Sequence, residues 1–269
     1  MDVSIVIINY NTFTLTSQCI ESIVKNTTGI SLEIILVDNA STEVSADTFL
    51  EKYPFIILIK NPVNSGFAKG NNLGIEKAKG RFVLLLNSDT ILKNNVALIL
   101  MQFLEKHPPV AAVSARLEYP DGSVQHCCQR FPSVFYQLFE LLRLQKILPR
   151  KTGNRILMGA FFKHDTVAYP DWIWGTCFMF RRDLLKELPN NKLADDFFMY
   201  GEDMQWCMEF RRIGYTVAFQ PTAVVIHFMG KSGGAKSGMM EQHGERFLKL
   251  YYSFPHRFVI KGLMKILQS

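Results

Sequence analysis

The 269-residue sequence has no apolar run close to the roughly 18 residues that a membrane-spanning helix requires. Its first residues, MDVSIVIINYN, carry an acid where a secretory signal peptide is basic, and the apolar stretch there is too short for such a signal. The five cysteines are odd in number and form no C-x-x-C pair. We therefore expect buried, reduced thiols and a cytoplasmic protein, with the inner face of the cell membrane as a further location.

Both common phosphate-loop fingerprints, G-x-G-x-x-G and G-x-x-x-x-G-K-[ST], are absent, as are internal repeats and linkers. Charged residues make up 20% and hydrophobic residues 48%, which is the composition of an ordinary globular protein. The net charge of +6 suits a phosphate-bearing substrate or an acidic membrane surface, and no nucleic-acid partner is expected. The chain is long enough to bury a core as one compact unit.

Short apolar runs alternate with helical patterns through the first 120 residues. Strands are predicted at 3–8, 32–38, 55–61 and 81–86, and a helix follows each of them. Continuous apolar strands that alternate with helices indicate a parallel sheet covered on both faces. Ligands of such α/β sheets bind outside the carboxyl ends of the strands. One rim is therefore predicted to carry Asn9, Tyr10, Asp38, Asn39, Asn87, Ser88 and Asp89.

The second half of the chain has a different pattern. YPDGSV predicts a turn that joins a hairpin. The remaining predicted elements are a helix at 133–148, a strand at 172–183, a helix at 202–214, strands at 215–228, and one or two helices after a glycine-rich loop past residue 230. These patterns divide the chain into residues 1–120, residues 121–232 and a helical tail (233–269).

The polar residues of the rim each allow two interpretations. Asp38 would accept hydrogen bonds from a ribose hydroxyl or a base N–H, or it would cap the next helix. The glycine-containing segment 64–74 would face an anion with its backbone amides and Lys69, or its glycines would let a helix pack closely on the sheet. Asp89, with Asn87 nearby, would bind a divalent cation, or the tripeptide would form a turn.

The second half of the chain carries two further sets of candidate site residues. Glu202 and Asp203 begin a predicted helix, where the helix dipole alone favours acids, but one of them would also serve as a general base for a sugar hydroxyl. Nearby aromatic residues would exclude water and stack on sugar rings. His227 ends a strand before a basic loop, so it is either a structural histidine or a ligand for Mn²⁺.

Seven motifs in this order resemble the family 2 glycosyltransferases, over roughly residues 3–232. The motifs are VSIVIINYN, LVDNAS, NSGFAKGNNLG, GRFVLLLNSDT, WIWGTCFMFRR, FFMYGEDMQWCMEFRRIGY and HFMGKS. The most similar branch is that of the rhamnosyltransferase-like and galactofuranosyltransferase-like enzymes. This resemblance implies a GT-A fold, in which a Rossmann-like, mostly parallel sheet with flanking helices is fused to a smaller acceptor-binding region and C-terminal helices. It implies that residues 1–120 form the nucleotide-binding half and that residues 121–232 form the acceptor-binding half, which carries the catalytic base.

The implied activity is that of an inverting, metal-dependent hexosyltransferase, which moves a sugar such as L-rhamnose from a nucleotide-diphosphate donor to a glycan or lipid-linked glycan in cell-surface polysaccharide synthesis. Asp203 would be the base, Glu202 would orient the acceptor, and Asp89 and His227 would bind Mn²⁺ or Mg²⁺. The predicted donor contacts are Asn9, Tyr10, Asp38, Asn39, Gly66, Lys69, Asn72, Asn87, Ser88, Lys231 and Ser232. The predicted acceptor contacts are Trp174, Gly175, Thr176 and Tyr200.

One residue departs from the family pattern: Asn87 stands where the D-x-D motif has its first acid. This asparagine is the sole support for the alternative that the protein is a non-catalytic binding module. The presence of Asp89, Asp203 and His227 argues against that alternative. A nucleotidyltransferase that makes a nucleotide sugar is a second alternative. Such enzymes usually carry a glycine-rich loop after the first strand, whereas IINYNTFTLT has no glycine.

Two segments are candidates for peripheral membrane contact. In residues 255–269, Arg257, Lys261 and Lys265 recur every four residues beside apolar side chains, which is typical of a helix on an anionic membrane surface. The apolar helix at 133–148 would add a second contact or cover a lipid-linked acceptor. Packing in the core or in a homo-oligomer explains both segments equally well.

Overall fold

The computed structural model describes residues 1–230 and 238–268. The strands are β1 (Val3–Asn9), β2 (Leu32–Asn39), β3 (Ile57–Asn61), β4 (Phe82–Asn87), β5 (Thr90–Leu92), β6 (Val110–Glu118), β7 (Cys128–Gln129), β8 (Trp172–Ile173), β9 (Cys177–Arg181) and β10 (Thr216–His227). The α-helices are α1 (Phe13–Asn26), α2 (Asp47–Lys52), α3 (Phe67–Ile75), α4 (Val96–Lys106), α5 (Val134–Leu141), α6 (Arg150–Leu157), α7 (Glu202–Arg212), α8 (Met239–Tyr251) and α9 (Phe254–Gln268).

Eight of these strands form one sheet in the order β3-β2-β1-β4-β9-β6-β10-β5. Strands β1 to β4 pair in parallel, as do β6 and β10, whereas β9 lies antiparallel between β4 and β6, and β5 lies antiparallel to β10. The sheet is therefore mostly parallel, as expected. Strands from residues 1–120 and from 121–232 are interleaved in it, and the proposed boundaries between the halves stay a prediction.

The strands are apolar along their whole length because both faces of the sheet are covered. Alternate side chains of β1 enter two different cores: Ile5 and Ile7 pack in the core that also holds residues of α1 and α4. Val6 packs in the other core, with residues of α3 and α7. Each of these β1 side chains is fully buried. A strand in this position cannot alternate apolar with polar residues, which explains the pattern of the sequence.

Three predicted elements of the second half are wrong in detail. The strand expected at 172–183 is two strands, β8 and β9, separated by residues 174–176. The helix expected at 133–148 ends at Leu141, because Arg143 adopts a left-handed conformation (φ 53°) before a short 3₁₀ turn. The strands expected at 215–228 are the single strand β10, whose register shifts between Gln220 and Val224. Pro221 lies in this interval and has no N–H to give to the sheet.

The turn predicted at 119–124 is confirmed, since the Tyr119 N–H donates to Ser123 O at 2.8 Å. It leads into a short antiparallel return beside β6, with a bridge between Glu118 and Val124 and a hydrogen bond from Gln125 N–H to Leu117 O. None of the helices within residues 1–230 and 238–268 has the length and apolar character needed to cross a membrane.

Candidate active site

The carboxyl ends of β1, β2 and β4 meet at one edge of the sheet. The parallel register pairs Asn9 with Asp38, and Ile8 with Asn87. Asn9 and Asp38 are buried, and the Asn9 Nδ2 donates to Asp38 Oδ1 at 2.7 Å. The rim predicted from the sequence thus forms, because residues that end neighbouring parallel strands are brought side by side.

Asp38 is held in place from two directions. The Asn9 amide that binds it also donates to Ser41 Oγ at 2.9 Å, and the Ser41 N–H donates to Asp38 Oδ2 at 3.2 Å. Neither Asp38 nor Ser41 caps the next helix, whose N-cap is Ala46. The capping interpretation is therefore wrong, and nucleotide contact stays a prediction for Asp38. Tyr10, the next residue along β1, has an exposed side chain beside this network.

Asn39 organises the turn that precedes α3. Its Nδ2 donates to Asn64 Oδ1 at 2.9 Å and to Gly66 O at 3.2 Å, while its Oδ1 accepts from Asn61 Nδ2 at 2.7 Å. Asn39 is also buried. Its polar atoms are thus used within the protein, and its observed contacts hold the turn in shape.

The glycines of segment 64–74 serve close packing. Gly66 has a φ of 83°, and a Cβ added to it would lie 2.3 Å from Phe198 O. The Phe67 N–H, at the start of α3, donates to this same oxygen at 2.7 Å. At the other end of α3, a Cβ on Gly74 would lie 2.4 Å from Val6 Cγ1, so the helix lies directly on β1. Close packing of the helix on the sheet is therefore confirmed at Gly74, whereas Gly66 packs against Phe198, and donor contact by Gly66 stays a prediction.

Other predicted donor contacts have varied surroundings. Asn72 is buried on α3, and its Nδ2 donates to Leu193 O at 2.9 Å, which ties α3 to the segment that leads into α7. Lys69, on the same helix, is exposed. Lys231 and Ser232 lie outside the described residues. Donor contact by these four residues stays a prediction.

Asp89 lies fully buried between β4 and β5. Within the described part of the chain, neither of its carboxylate oxygens has a hydrogen-bond partner, and the same holds for Asn87 Oδ1. The Asp89 Oδ1 lies 3.5 Å from the Nε2 of His227. Ser88, between the two, accepts a hydrogen bond from Thr12 Oγ1 at 3.1 Å. The oxygens of Asn87 and Asp89 are thus buried without the partners that such groups ordinarily have.

His227 reaches Asp89 because of the antiparallel pairing between β10 and β5, which places it opposite Thr90. The Gln125 Nε2 donates to His227 O at 2.8 Å, so the Gln125 Oε1 accepts from His227 Nδ1 at 2.7 Å. Since an amide oxygen only accepts, the hydrogen is on Nδ1, and Nε2 presents its lone pair towards Asp89. Gln125 therefore fixes both the position and the tautomer of His227.

Residues 174–176 connect Asn87, at the edge of the sheet, to Asp203, at the start of α7. The Asn87 N–H donates to Thr176 O at 3.0 Å, and the Gly175 N–H donates to Asp203 Oδ2 at 3.2 Å. A Cβ added to Gly175 would lie 3.5 Å from Asp203 Cβ, so the backbone at Gly175 passes close to the first turn of α7. Trp174 is anchored by its N–H to Cys127 O at 3.2 Å. Asn87 and Asp203, far apart in sequence, are thus linked through two consecutive residues.

Burial raises the pKa of both acids at the start of α7. It raises the pKa of Asp203 to about 6, although the Gly175 and Met204 N–H groups that bind its carboxylate offset part of the effect. Burial, together with the charge of Asp203, raises the pKa of Glu202 well above its usual value. With a pKa of about 6, Asp203 is mostly ionised at pH 7.

Tyr200 is close enough to both Asp89 and Glu202 for their charges to affect its hydroxyl. Tyr200 and Gly201 both have positive φ values (65° and 114°) immediately before α7. Such a conformation costs a non-glycine residue about 1–3 kcal/mol and is concentrated at functional sites. The His243 Nδ1–H donates to Tyr200 O at 2.6 Å and holds this bend. Burial, followed by the charges of Glu202 and Asp89, raises the pKa of Tyr200, so both sides of the site act on its hydroxyl.

A family model described as glycosyl transferase family 2 matches residues 4–189, more than half of the chain. The chain belongs to glycosyl transferase family 2. The resemblance seen in the seven sequence motifs is thereby confirmed, and it includes similarity to an annotated rhamnosyltransferase.

Two curated relatives show the range of similarity within the family. Glycosyltransferase GlyG of Streptococcus pneumoniae serotype 4 is 28% identical over 155 residues, which cover 56% of this chain and 50% of that protein. N-acetylglucosaminyl-diphospho-decaprenol L-rhamnosyltransferase of Mycobacterium tuberculosis is 21% identical over 267 residues, which cover 87% of this chain and 81% of that protein. The match thus spans half the length of the first relative and most of the second.

The fold of this family 2 glycosyltransferase is shared with solved enzyme structures. The structure of GalNAc-T7 with UDP, GalNAc and Mn²⁺ superposes with a TM-score of 0.68 at 16% identity, and the match covers 94% of this chain and 48% of that one. At this identity the likeness concerns the fold alone. The GT-A fold expected from the sequence is confirmed.

The donor atoms at Asp89 and His227 suit a divalent cation. The carboxylate of Asp89 is buried and lacks a hydrogen-bond partner among the described residues, and the Nε2 of His227 points to it. A buried carboxylate ordinarily needs a compensating charge. Hard carboxylate and amide oxygens with one imidazole are suitable ligands for Mn²⁺ or Mg²⁺, with the remaining positions left for phosphate oxygens.

Sequence reasoning missed Gln125. Its only local signal is its place directly after the turn at 119–124, in a segment with no regular pattern of polar residues. Its contact with His227 joins positions that are distant in the sequence. Thr12 and Ser41, which bind Ser88 and Asp38, were missed for the same reason.

Proposed function

We propose that this glycosyltransferase moves a sugar, with inversion, from a nucleotide-diphosphate donor to a hydroxyl group of a glycan or lipid-linked glycan. The observation that carries the proposal is that residues 175–176 bind both Asp203 and Asn87, two residues before the Asp89 that lies 3.5 Å from His227. A donor site, a cation site and a base are required together for such a transfer, and each has its residues here.

The donor would bind along the rim formed by β1, β2 and β4. Asp38 is oriented by Asn9 and Ser41, which fixes a carboxylate for the hydrogen-bond donors of a ribose or a base. Asn87 and Ser88 lie further along the same rim, towards Asp89. The UDP in the GalNAc-T7 structure is consistent with this class of donor.

Asp89 and His227 would hold Mn²⁺ or Mg²⁺ beside the diphosphate of the donor. When bound, the cation would stabilise the negative charge that leaves with the diphosphate. Gln125 binds the Nδ1 of His227 and so keeps its Nε2 directed at Asp89. The Mn²⁺ of the GalNAc-T7 structure supports this assignment.

Asp203 would act as the general base. Its pKa of about 6 leaves it ionised at neutral pH yet basic enough to accept a proton from the attacking hydroxyl. The acceptor oxygen would form the new bond to the anomeric carbon while the bond from that carbon to the diphosphate breaks. One ionised carboxylate on the acceptor side fits a single displacement, which inverts the configuration. Glu202, which is buried, would orient the acceptor together with Trp174, Thr176 and Tyr200.

The relatives favour a role in cell-surface glycan synthesis. The mycobacterial relative is named as an L-rhamnosyltransferase that acts on a diphospho-decaprenol-linked sugar. Another relative, 37% identical over 103 residues, is a poly(ribitol-phosphate) beta-glucosyltransferase of Bacillus spizizenii. We therefore propose L-rhamnose as the first donor sugar to test, and a lipid-linked glycan as the acceptor.

A lipid-linked acceptor fits an apolar surface on this chain. Helices α5 and α9 pack against each other. They and the residues next to them expose large apolar side chains, namely Phe135, Leu142, Ile147, Phe254 and Phe258. Arg257 and Lys265 lie on α9, while Lys261 pairs with Glu245 of α8. We propose that this surface rests on an anionic membrane.

Transfer is tested by measuring turnover of dTDP-rhamnose, UDP-galactofuranose and UDP-hexoses with Mn²⁺, first as hydrolysis and then with lipid-linked acceptors. Asp203→Asn should lower kcat by about 10²–10⁴-fold while donor binding is retained. Gln242→Ala, an exposed change on α8, serves as a control that should leave turnover intact. No turnover with any donor in the parent protein would favour the non-catalytic module, and a fully active Asp203→Asn variant would refute the assigned base.

Membrane contact is tested separately with liposomes. The variant Phe254→Ser/Phe258→Ser should lose binding to vesicles that contain anionic lipid, because these two rings are the most exposed apolar groups of α9. Exposed Leu50→Ser, on α2, is a matched apolar control. Equal binding of both variants would remove α9 as the anchor without affecting the proposed chemistry.

A further inference from the structure

A second cluster of metal-binding atoms lies outside the candidate active site. Cys127, Cys128 and His164 are fully buried, and each offers one sulfur or ring nitrogen such that all three atoms lie within 4.8 Å of one another. The cluster joins the segment before β7 to the loop that follows the 3₁₀ turn at Gly159–Phe161. Neither the proposed donor site nor the proposed base uses these residues.

The ring of His164 is held in the orientation of a metal ligand. Its Nδ1 lies 2.7 Å from Phe162 O, and because a carbonyl only accepts, the hydrogen is on Nδ1. The Nε2 therefore carries a lone pair, and it is buried without a hydrogen-bond partner among the described residues. Arg116 Nη1 donates to His164 O at 3.1 Å and fixes the backbone. A histidine that donates one ring N–H to a carbonyl and presents the other nitrogen is typical of metal sites.

The other two candidate ligands are the sulfurs of Cys127 and Cys128. Both cysteines are free and buried. The Cys127 thiol has one weak contact, a hydrogen bond to Ala115 O at 3.7 Å. A bound cation would convert these thiols to the thiolates that ligate metals.

We propose that Cys127, Cys128 and His164 bind Zn²⁺, at a structural site separate from the proposed Mn²⁺ or Mg²⁺ site. Two sulfurs and an imidazole select a borderline-soft cation and disfavour the hard cations that suit Asp89. Zinc in structural sites takes four ligands. The cluster supplies three of these, and the exposed His126, whose ring centroid lies 5.4 Å from that of His164, would have to change its rotamer to supply the fourth.

A cation here would stabilise the segment that positions His227. Gln125, which holds His227, is two residues from Cys127. The Cys127 carbonyl also accepts the Trp174 N–H, next to Gly175. The zinc site would therefore fix, through the backbone, two neighbours of the candidate active site. The binding itself does not depend on the proposed transferase activity.

The test is titration of the full-length, reduced protein with Co²⁺ as a spectroscopic substitute for zinc. We expect one equivalent to produce a thiolate-to-cobalt charge-transfer band and tetrahedral d–d bands, both abolished by Zn²⁺. Cys128→Ser and His164→Asn should weaken this binding at least about tenfold; asparagine tolerates the positive φ of 55° at position 164. Cys207→Ala, a buried thiol elsewhere, and Asp89→Asn, in the other cation site, should retain the band.

X-ray absorption at the zinc edge keeps the test independent of whether the variants fold. Wild-type protein loaded with one equivalent of Zn²⁺ should show two sulfur neighbours at about 2.3 Å together with imidazole nitrogen. A shell of oxygen and nitrogen alone would overturn the proposal, since it would place zinc at Asp89 and His227. The absence of a thiolate band in the wild-type protein, or its persistence in both Cys128→Ser and His164→Asn, would do the same.

Discussion

Acidification should lower sugar transfer in a way that follows the ionisation of Asp203. With a pKa of about 6, this carboxylate is about 90% ionised at pH 7 and about 10% ionised at pH 5. The kcat/KM for transfer should therefore fall about tenfold between these two pH values, with a midpoint near 6. A solvent-exposed aspartate with its ordinary pKa of 3.8 would remain largely ionised at pH 5, so kcat/KM would hardly change over the same range.

Because burial is the main cause of the raised pKa of Asp203, a variant of Glu202 serves as the control. Burial is the largest contribution at Asp203, and the charge of Glu202 is not among the causes of its raised pKa. Removing the ionisable group of Glu202 should then leave the midpoint where it is. We expect Glu202→Gln to keep a midpoint near 6, even where its kcat/KM is lower at every pH.

The assay is the initial rate of transfer or donor hydrolysis from pH 4.5 to 8.5 at saturating Mn²⁺, with Mn²⁺–nucleotide affinity measured at each pH. Measuring affinity separates loss of the base from protonation of His227. A wild-type midpoint near 4 would refute the reasoning, as it would mean that Asp203 is not desolvated. A fall of the midpoint by one unit or more in Glu202→Gln would show that charge repulsion, rather than burial, raises the pKa.

Three further predictions concern stability and cation binding. Because the folded protein holds Asp203 at a raised pKa, ionisation of this carboxyl group destabilises the fold progressively above pH 3.8 and fully above pH 6. Asp203→Asn should therefore raise the free energy of unfolding by up to about 3 kcal/mol at pH 8 and leave it unchanged at pH 3.5. An equal effect at both pH values would contradict this reasoning. Gln125→Leu should weaken Mn²⁺ binding in the presence of UDP about tenfold by isothermal titration, since His227 loses the acceptor for its Nδ1–H; unchanged affinity would rule out the positioning role. Gly66→Ala should cost at least about 2 kcal/mol in urea unfolding, because its Cβ would meet Phe198 O, while Gly122→Ala, with a similar φ and open space, should cost less.

Much of the fold of residues 1–120 could be predicted from the sequence. Runs such as FVLLLN are apolar throughout, which is stable only for a strand buried on both faces, and they end in polar residues where the sheet ends. Because neighbouring parallel strands end at the same edge, the grouping of Asn9, Asp38 and Asn87 followed from periodicity alone. The motifs at Asp89, Asp203 and His227 predicted residues of the candidate site but not the distances between them.

The contacts that assemble the site depend on long-range pairing that no local pattern encodes. The strand β9 inserts antiparallel between β4 and β6, and this insertion brings Thr176 to Asn87. The bend at residues 174–176 interrupts what the sequence presents as one continuous apolar strand, because hydrogen bonds to Cys127 O and to Asp203 direct the backbone elsewhere. Periodicity reports which side chains are buried, and it carries no information about such bonds.

The sequence by itself thus determined the class of fold, the edge of the sheet that carries the polar residues, and the family. The tertiary structure alone decided that Gln125 orients His227, that burial raises the pKa of Asp203 and of Glu202, and that Cys127, Cys128 and His164 meet in the core. The reason is physical: burial of apolar surface follows local patterns, whereas the pKa and the orientation of a polar side chain depend on neighbours that only folding brings together.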